Sequence, residues 1–254
     1  MRIGVCTSIH NLGKAARAGF EYVECPVTEL ALMEEAEFGR AMVALRDSAV
    51  KVEVCNLFFP GIRMTGPEAD VRVISEYVKK ALERVSRAGA GMVVLGNGGL
   101  RTVPDGWPAA DARRQFMDVL RIIGDGCGPY GITLLLEPLN KTETNLVNTI
   151  AEGLQMVREL SHPRVKLLAD YYHARMESED MAAIVAAGEW IRHLHFANGV
   201  ARRYPRAATD DDYRPFLDAC KAIGYTQRIS LEARTEDFDT DAPVAARVMK
   251  ELFA

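Results

Sequence analysis

The sequence predicts an α/β protein folded as a single (β/α)8 barrel, the TIM-barrel architecture, over residues 1–254. Short apolar runs alternate with longer amphipathic stretches along the whole chain. Eight such units in 254 residues average about 32 residues each, which suits a compact barrel of about 250 residues. An open doubly wound sheet is the main alternative, but the chain lacks both Gly-rich loops that such folds use to hold phosphates.

Eight short runs carry the strand pattern. Each is mostly apolar and bounded by turn residues or by the end of an amphipathic stretch. The predicted strands are Arg2–Cys6, Tyr22–Cys25, Val52–Leu57, Gly91–Leu95, Thr133–Glu137, Lys166–Asp170, Ile191–Phe196 and Arg228–Glu232.

The longer stretches repeat their apolar residues every three to four positions, which is typical of helices that bury one face. They are predicted over Glu34–Ser48, Pro67–Ala88, Ala109–Tyr130, Thr149–Leu160, Met181–Ala187, Asp212–Ile223 and Ala242–Phe253. At four places a glycine stands between a helical pattern and the next strand, where a left-handed residue is expected to end the helix. These glycines are Gly19, Gly89, Gly131 and Gly224.

Composition excludes several classes of protein. The chain has 31 basic and 35 acidic side chains, a net charge of −4 and a pI near 5.8, so it lacks the basic surface that nucleic-acid binding requires. No apolar run is long enough to span a membrane and the N-terminus has no signal-peptide pattern, so we expect a cytoplasmic protein without nucleic-acid or membrane partners. The five cysteines are odd in number and far apart, which favours buried reduced thiols.

The last four predicted strands each carry a side chain of the metal-ligand type at or near the carboxyl end. They are Glu137, Asp170, His195 and Glu232. The loops after the strands build the active site of a barrel, so these side chains are expected to meet at one rim. Three carboxylates there would repel one another unless a cation lay among them, and an oxygen-rich set favours Mn²⁺, Mg²⁺ or Co²⁺. One such residue alone would be an ordinary surface charge. Four of them on consecutive strands predict one divalent metal ion.

Two further histidines lie close to these residues in the sequence. His173 follows Asp170 by three residues, so it can face the same cavity and hydrogen-bond a substrate oxygen. His193 shares a strand face with His195 one layer deeper in the barrel, which favours a supporting or core role over direct participation.

The loops after the first three strands are expected to form the opposite wall of the pocket. The residues proposed for this wall are Cys6, Glu24, Asn56, Phe58 and Phe59. The two phenylalanines are compatible with packing on the apolar face of a sugar, with a hydrophobic cap or with a subunit contact.

Five short segments stand in a characteristic order. They are Leu95–Gly106, Leu136–Asn140 followed by Glu143–Asn145, Asp170–His173, His193–His195 and Ile229–Glu232. In order and spacing they resemble the xylose-isomerase-like TIM-barrel superfamily, in particular its branch of sugar epimerases and isomerases, which includes ketose 3-epimerases and hydroxypyruvate isomerases. The resemblance covers nearly the whole chain.

This resemblance implies roles for named residues. The four strand-end residues would bind one divalent cation, and Glu137 and Glu232 would also move the proton. The sugar would be held by Glu143, His173 and an arginine after the seventh strand, for which Arg202 matches better than Arg203. The resemblance also implies a homo-oligomer, either a dimer or a tetramer.

The sequence therefore predicts a metal-dependent epimerase or isomerase of a ketose or small hydroxyketone. Two glutamates would act as acid and base around an enediolate. No dedicated phosphate cup is evident, which favours an unphosphorylated substrate. Three alternatives stay open: a dehydratase or β-eliminating lyase, a sugar-binding protein without turnover, and a DNA-repair endonuclease of the same superfamily, which would need more than the five histidines present and a less acidic protein.

Overall fold

Eight parallel strands close into a barrel in chain order, with the last strand paired to the first. The computed structural model describes all residues 1–254. The strands are β1 Arg2–Cys6, β2 Tyr22–Pro26, β3 Lys51–Asn56, β4 Met92–Leu95, β5 Thr133–Leu136, β6 Val165–Asp170, β7 Ile191–Phe196 and β8 Arg228–Leu231. Every predicted strand is present, with ends within one residue of the prediction, and the predicted barrel is confirmed.

Helices cover the outside of the barrel. They are α1 Leu12–Ala18, α2 Val27–Leu32, α3 Glu35–Asp47, α4 Val71–Ala88, α5 Gly98–Arg101, α6 Ala109–Cys127, α7 Ile150–Leu160, α8 Tyr171–Met176, α9 Ala182–Ala187, α10 Arg214–Ala222 and α11 Phe238–Leu252. None of these helices is both long enough and apolar enough to cross a membrane. The four glycines expected in left-handed conformation have φ between 63° and 93°.

Two helix starts differ from the prediction because a capping aspartate decides each of them. Helix α4 begins at Val71 rather than Pro67, since the Asp70 side chain accepts a hydrogen bond from the backbone of Arg72. Helix α11 begins four residues before the predicted Ala242, where Asp237 caps the backbone of Thr240. Sequence periodicity missed four short helices, α1, α2, α5 and α8, because four to seven residues do not repeat an apolar face.

The barrel wall separates two apolar cores. The larger core lies between the strands and the surrounding helices and has 67 buried residues. The smaller fills part of the barrel interior and has six members: Tyr22, Val54, Met92, Val94, Leu135 and Leu168. The rest of the interior holds buried polar side chains from β2, β7 and β8: Glu24, His193, His195 and Ser230. The barrel is therefore apolar on one side of its interior and polar on the other.

The cysteines and the two phenylalanines also have defined places. All five cysteines are free thiols and four of them are buried, which agrees with the reduced state predicted from their spacing. Phe58 and Phe59 are buried in the larger core, and their rings pack on Tyr77. They lie neither on the surface nor in the pocket described below, so the sequence interpretation that placed them in the pocket wall is wrong.

Gly4 gives the ring of Tyr22 room to lie across the barrel interior. A Cβ atom at Gly4 would lie 2.3 Å from the Tyr22 ring, closer than any real Cβ contact. The Tyr22 hydroxyl is 2.9 Å from Ser230 Oγ, so the ring connects the apolar and polar sides of the interior. Gly4 is thus required by close packing rather than by its backbone angles.

We predict that Gly4→Ala lowers the free energy of unfolding by about 1–3 kcal/mol, because the added methyl group overpacks the interior. Urea denaturation followed by circular dichroism measures the change. Gly39→Ala is the matched control: Gly39 lies within α3 with no heavy atom within 4 Å of the added Cβ, so alanine is expected to stabilise by about 0.5–1 kcal/mol. Equal effects of the two substitutions would contradict this account.

Candidate active site

The carboxyl ends of β5 to β8 bring the four predicted ligand residues to one rim. Glu137 and Glu232 are the first residues after β5 and β8, and their backbone N–H groups still bond to Leu95 and Phe196 of the neighbouring strands. Asp170 ends β6 and pairs in register with His195 of β7. In a parallel barrel that closes in chain order, the carboxyl ends of all strands lie at the same rim, so these four residues lie together there.

A pocket of about 280 Å³ opens above this rim. It is lined by Glu137 and Glu232 and by three other residues predicted for the site: Asn56, Glu143 and Arg202. Glu137, Asp170 and His195 are almost completely buried, and Glu232 is partly exposed to the pocket. Gly96 also lines it, and a Cβ atom there would lie 2.4 Å from Glu137 Oε2, so only glycine lets this backbone approach the carboxylate.

Both histidines expected near the pocket approach its carboxylates. The Nδ1 atom of His195 lies 3.1 Å from Glu137 Oε1 and 3.4 Å from Glu232 Oε2. The Nε2 atom of His173 lies 3.7 Å from Asp170 Oδ2. By distance alone, His173 forms a tighter group with Glu137, Asp170 and Glu232, whose donor atoms all lie within 4.8 Å of one another. Hydrogen bonding, however, separates the roles of the two rings.

His173 is held in the form that donates a hydrogen bond into the pocket. Its Nδ1 accepts a hydrogen bond from the backbone N–H of Asn140 at 3.2 Å. A backbone N–H can only donate, so Nδ1 carries no proton and Nε2 carries it. That Nε2–H is buried and has no hydrogen-bond partner. His173 is therefore suited to bind an oxygen atom of a substrate and not to ligate a cation.

His195 is held in the opposite way. Its Nε2 lies 2.9 Å from Oε1 of Glu24, a carboxylate that can only accept, so the proton sits on Nε2. Nδ1 then faces Glu137 and Glu232 and is the nitrogen that a cation would bind in place of a proton. Although burial lowers it, the charges of Glu24 and Glu232 raise the pKa of His195 well above its ordinary value. The same charges that attract a proton to Nδ1 would attract a metal cation.

Asp170 has one oxygen atom free for a ligand. Its Oδ1 caps helix α8 by accepting a hydrogen bond from the backbone of Tyr172 at 2.6 Å. Its Oδ2 is buried and accepts no hydrogen bond. Burying a carboxylate oxygen without a hydrogen-bond donor costs free energy, so such an oxygen indicates a site for a ligand. With the Nδ1 of His195 and the two glutamates, this oxygen could form the donor set of one divalent cation.

The two glutamates have different affinities for a proton. Burial, and then the charge of Glu232, raise the pKa of Glu137 above its ordinary value. Burial also opposes ionisation of Glu232, but His195 and Arg202 outweigh it and lower its pKa. Glu137 therefore holds a proton more tightly than Glu232, and an acid and base pair requires such a difference in proton affinity.

Arg202 reaches the site from the loop after β7. Its guanidinium contacts Glu232, lies 3.1 Å from Glu143 Oε1 and 3.8 Å from Asp170 Oδ2, and stands over the ring of Tyr172 at 5.1 Å. The Arg202 backbone has φ of +50°, a left-handed conformation that costs a non-glycine residue of the order of 1–3 kcal/mol. Arg203 instead lines a neighbouring cavity, so the structure favours Arg202 over Arg203 for the site.

Two residues of the predicted wall, Glu24 and Cys6, are not among the residues that line the pocket. Glu24 lies within β2, fully buried in the barrel interior, and bonds His193 at 2.8 Å as well as His195. Cys6 does not line the pocket; its sulfur lies within 4.8 Å of donor atoms of Glu24 and His195. The sequence therefore missed the role of Glu24, and only its place on a strand beside apolar neighbours gave a signal.

Comparison with known proteins agrees with this geometry. The family model described as xylose isomerase-like TIM barrel matches residues 12–252. The chain belongs to this family. In this family the chain is 26% identical over 227 residues to an L-ribulose 3-epimerase of Methylomonas sp. strain DH-1, with 86% of the chain and 76% of the relative covered. It is also 26% identical over 227 residues to a 2-oxo-tetronate isomerase of Haemophilus influenzae, covering 86% of the chain and 84% of that protein.

Solved structures show the same fold. The crystal structure of D-psicose 3-epimerase with D-tagatose from Clostridium cellulolyticum H10 superposes with a TM-score of 0.84 at 17% identity and covers 100% of this chain and 99% of that one. The relatives named here are epimerases or isomerases, and this family member is an enzyme of the isomerase class. The resemblance stated from the sequence motifs is thus confirmed.

We predict that the two histidines respond differently to the same substitution. His195→Gln is expected to weaken Mn²⁺ binding at least about 100-fold, because it removes the nitrogen directed at the carboxylates. His173→Gln is expected to leave Mn²⁺ affinity within about threefold, because its Nε2 carries a proton. Isothermal titration calorimetry with MnCl₂ measures both. Loss of affinity in the His173 variant alone would reverse the assignment.

Proposed function

We propose that this protein is a divalent-metal-dependent sugar epimerase that acts on an unphosphorylated ketose or small hydroxyketone. The observation that carries the proposal is the placement of His195 Nδ1 against both Glu137 and Glu232 at the rim of the barrel. Two carboxylates that share this environment but differ in proton affinity can take a proton from one face of a substrate and return one from the other.

The names of the relatives support this class of reaction. One relative is an L-ribulose 3-epimerase and another a 2-oxo-tetronate isomerase. Epimerisation and isomerisation next to a carbonyl both begin with loss of a proton from carbon, and they differ in the carbon atom that receives it. The matched structure bound to D-tagatose is a ketose 3-epimerase, so we favour epimerisation at the carbon beside the keto group.

We propose that one divalent ion, Mn²⁺, Mg²⁺ or Co²⁺, is held by Glu137, Asp170, His195 and Glu232. The unpartnered Asp170 Oδ2 supports this set. When bound, the ion supplies Lewis-acid polarisation of the substrate's carbonyl, which acidifies the neighbouring C–H group.

The protein's own groups carry the proton. Glu232, with its lowered pKa, is ionised and removes the proton from the carbon next to the carbonyl. Glu137, with its raised pKa, delivers a proton to the opposite face. In the reverse direction the two exchange roles. His173 donates its Nε2–H to a substrate oxygen, and Arg202 and Glu143 hold the hydroxyl groups beyond the reacting carbon.

Asn56 and Cys6 have lesser parts in this proposal. Asn56 Nδ2 lies 3.4 Å from Glu232 Oε1 and lines the pocket, so it orients that carboxylate and contacts substrate. Cys6, predicted as part of the pocket wall, is only partly buried and lies beside His195, and its contact with substrate stays a prediction. The homodimer or tetramer and the cytoplasmic location stay predictions, which analytical ultracentrifugation and cell fractionation would test.

We predict that the enzyme loaded with Mn²⁺ incorporates deuterium from D₂O into a ketose at the carbon beside the keto group. Proton NMR of a panel of free ketoses and hydroxyketo acids measures the exchange. Inversion at that carbon identifies an epimerase, movement of the carbonyl an isomerase, and loss of water a dehydratase. Full activity after exhaustive treatment with a chelator would contradict the metal-dependent mechanism.

We predict that Glu232→Gln and Glu137→Gln each lower kcat at least about 1,000-fold, because each removes one side of the proton relay. Glu236→Gln is the matched control, since Glu236 is exposed and does not line the catalytic pocket. The control is expected to keep the activity of the parent protein. A Glu232 variant that still exchanges the carbon-bound proton would exclude Glu232 as the base.

A further inference from the structure

Glu24 is a fully buried carboxylate that touches no part of the pocket. Three donors surround it: Oε1 lies 2.9 Å from His195 Nε2, and Oε2 lies 2.8 Å from His193 Nε2 and 2.6 Å from Ser230 Oγ. Ser230 is itself 2.9 Å from the hydroxyl of Tyr22. A chain of hydrogen bonds thus crosses the barrel from Tyr22 to His195.

Stability of the barrel does not require this charge. The other side of the interior is filled with apolar residues at no cost in desolvation, and one of them, Leu168, pairs in register with His193. A buried carboxylate costs free energy even when it is well paired, and replacement of such groups by apolar ones is often neutral or stabilising. A role outside packing therefore explains Glu24 better than a structural one.

The geometry around His193 shows which partner Glu24 serves. His193 is fully buried, and its Nδ1 has no hydrogen-bond partner, so all of its polar contacts go to Glu24 and Ser230. His193 holds Oε2 and fixes the plane of the carboxylate, and Ser230 adds a second hydrogen bond to the same oxygen. Oε1 is then directed at His195 alone.

We propose that Glu24 is a positioning residue that fixes the ring orientation and tautomer of His195, so that the Nδ1 lone pair is presented to a divalent cation. The inference rests on the metal site of the proposed function, in which Glu24 would contact neither substrate nor metal. The carboxylate holds the proton on Nε2 and prevents the flipped ring, in which a protonated nitrogen would face Glu137 and Glu232. A partner of this kind is typically worth about 10- to 100-fold in metal affinity.

Glu24→Gln tests this with almost no change of shape. The amide has one accepting oxygen and one donating nitrogen, so it can satisfy only one of the two imidazole N–H groups. We expect the variant to bind Mn²⁺ about 10- to 100-fold more weakly by calorimetry. Glu24→Asp, which keeps two accepting oxygens, is expected to recover part of the loss.

Ser230→Ala is the matched control. It removes one hydrogen bond to Oε2 and leaves the contact between Oε1 and His195 intact. We expect its Mn²⁺ affinity to stay within about threefold of the parent protein, whatever its melting temperature. Equal loss of stability in the Glu24→Gln and Ser230→Ala variants, with unchanged Mn²⁺ affinity in both, would show that Glu24 is merely structural and would overturn the proposal.

A spectroscopic measurement reads the tautomer directly. The chain has five histidines, so ¹⁵N-histidine labelling gives five imidazoles to assign. In protein loaded with ¹¹³Cd²⁺, we expect coupling of cadmium to Nδ1 of His195 and a proton on its Nε2, and loss of this pattern in Glu24→Gln. An identical pattern in both proteins would overturn the proposal.

The positioning role and the proposed function can fail separately. If the parent protein binds Mn²⁺ and epimerises a ketose while Glu24→Gln binds equally well, the positioning role fails and the function stands. If Glu24→Gln loses Mn²⁺ affinity but no ketose exchanges its carbon-bound proton, the positioning role stands and the function fails.

Discussion

Negative charge held away from water at one end of the barrel is the constraint on which the rest of the site depends. Glu24, Glu137 and Asp170 are nearly or fully buried, and Glu232 stands beside them. Removing carboxylates from water costs several kcal/mol each unless cations or strong hydrogen bonds compensate. His195 and Arg202 supply part of that compensation. The proposed divalent ion would supply the rest. It would lie beside Glu137 and Glu232, which approach both Asp170 and His195 Nδ1.

The same constraint accounts for features that would otherwise be costly. Gly96 has no side chain because Glu137 occupies the space, and Arg202 accepts a left-handed backbone because its guanidinium lies among acids.

The two histidines illustrate a more general point. By distance alone, His173 groups with the carboxylates. The backbone N–H of Asn140 beside His173 and the carboxylate of Glu24 beside His195 decide which nitrogen of each ring faces the pocket. Partners on the far side of an imidazole define its chemistry more firmly than proximity does.

Much of the fold and the rim followed from the sequence because both depend on local patterns. Apolar runs and helix-ending glycines locate the strands, and a ligand-type residue at the end of each of the last four strands is visible without coordinates. Glu24 could not be assigned in this way, since its partners lie 169 and 171 residues away and only barrel closure brings them together. The burial of Phe58 and Phe59 likewise depends on the position of Tyr77 in α4. Asn140 fixes His173 through its backbone, which no side-chain motif can reveal.

The division of the barrel interior into an apolar and a polar side also orders events during synthesis. All six apolar interior residues lie between positions 22 and 168, so they are all synthesised before His193. The donors to Glu24 stand at positions 193, 195 and 230, and none of its hydrogen bonds can form until β7 and β8 exist. Until then the carboxylate lacks all three of these donors. The apolar side of the interior is therefore complete in sequence before the polar side, which needs residues from the last two strands.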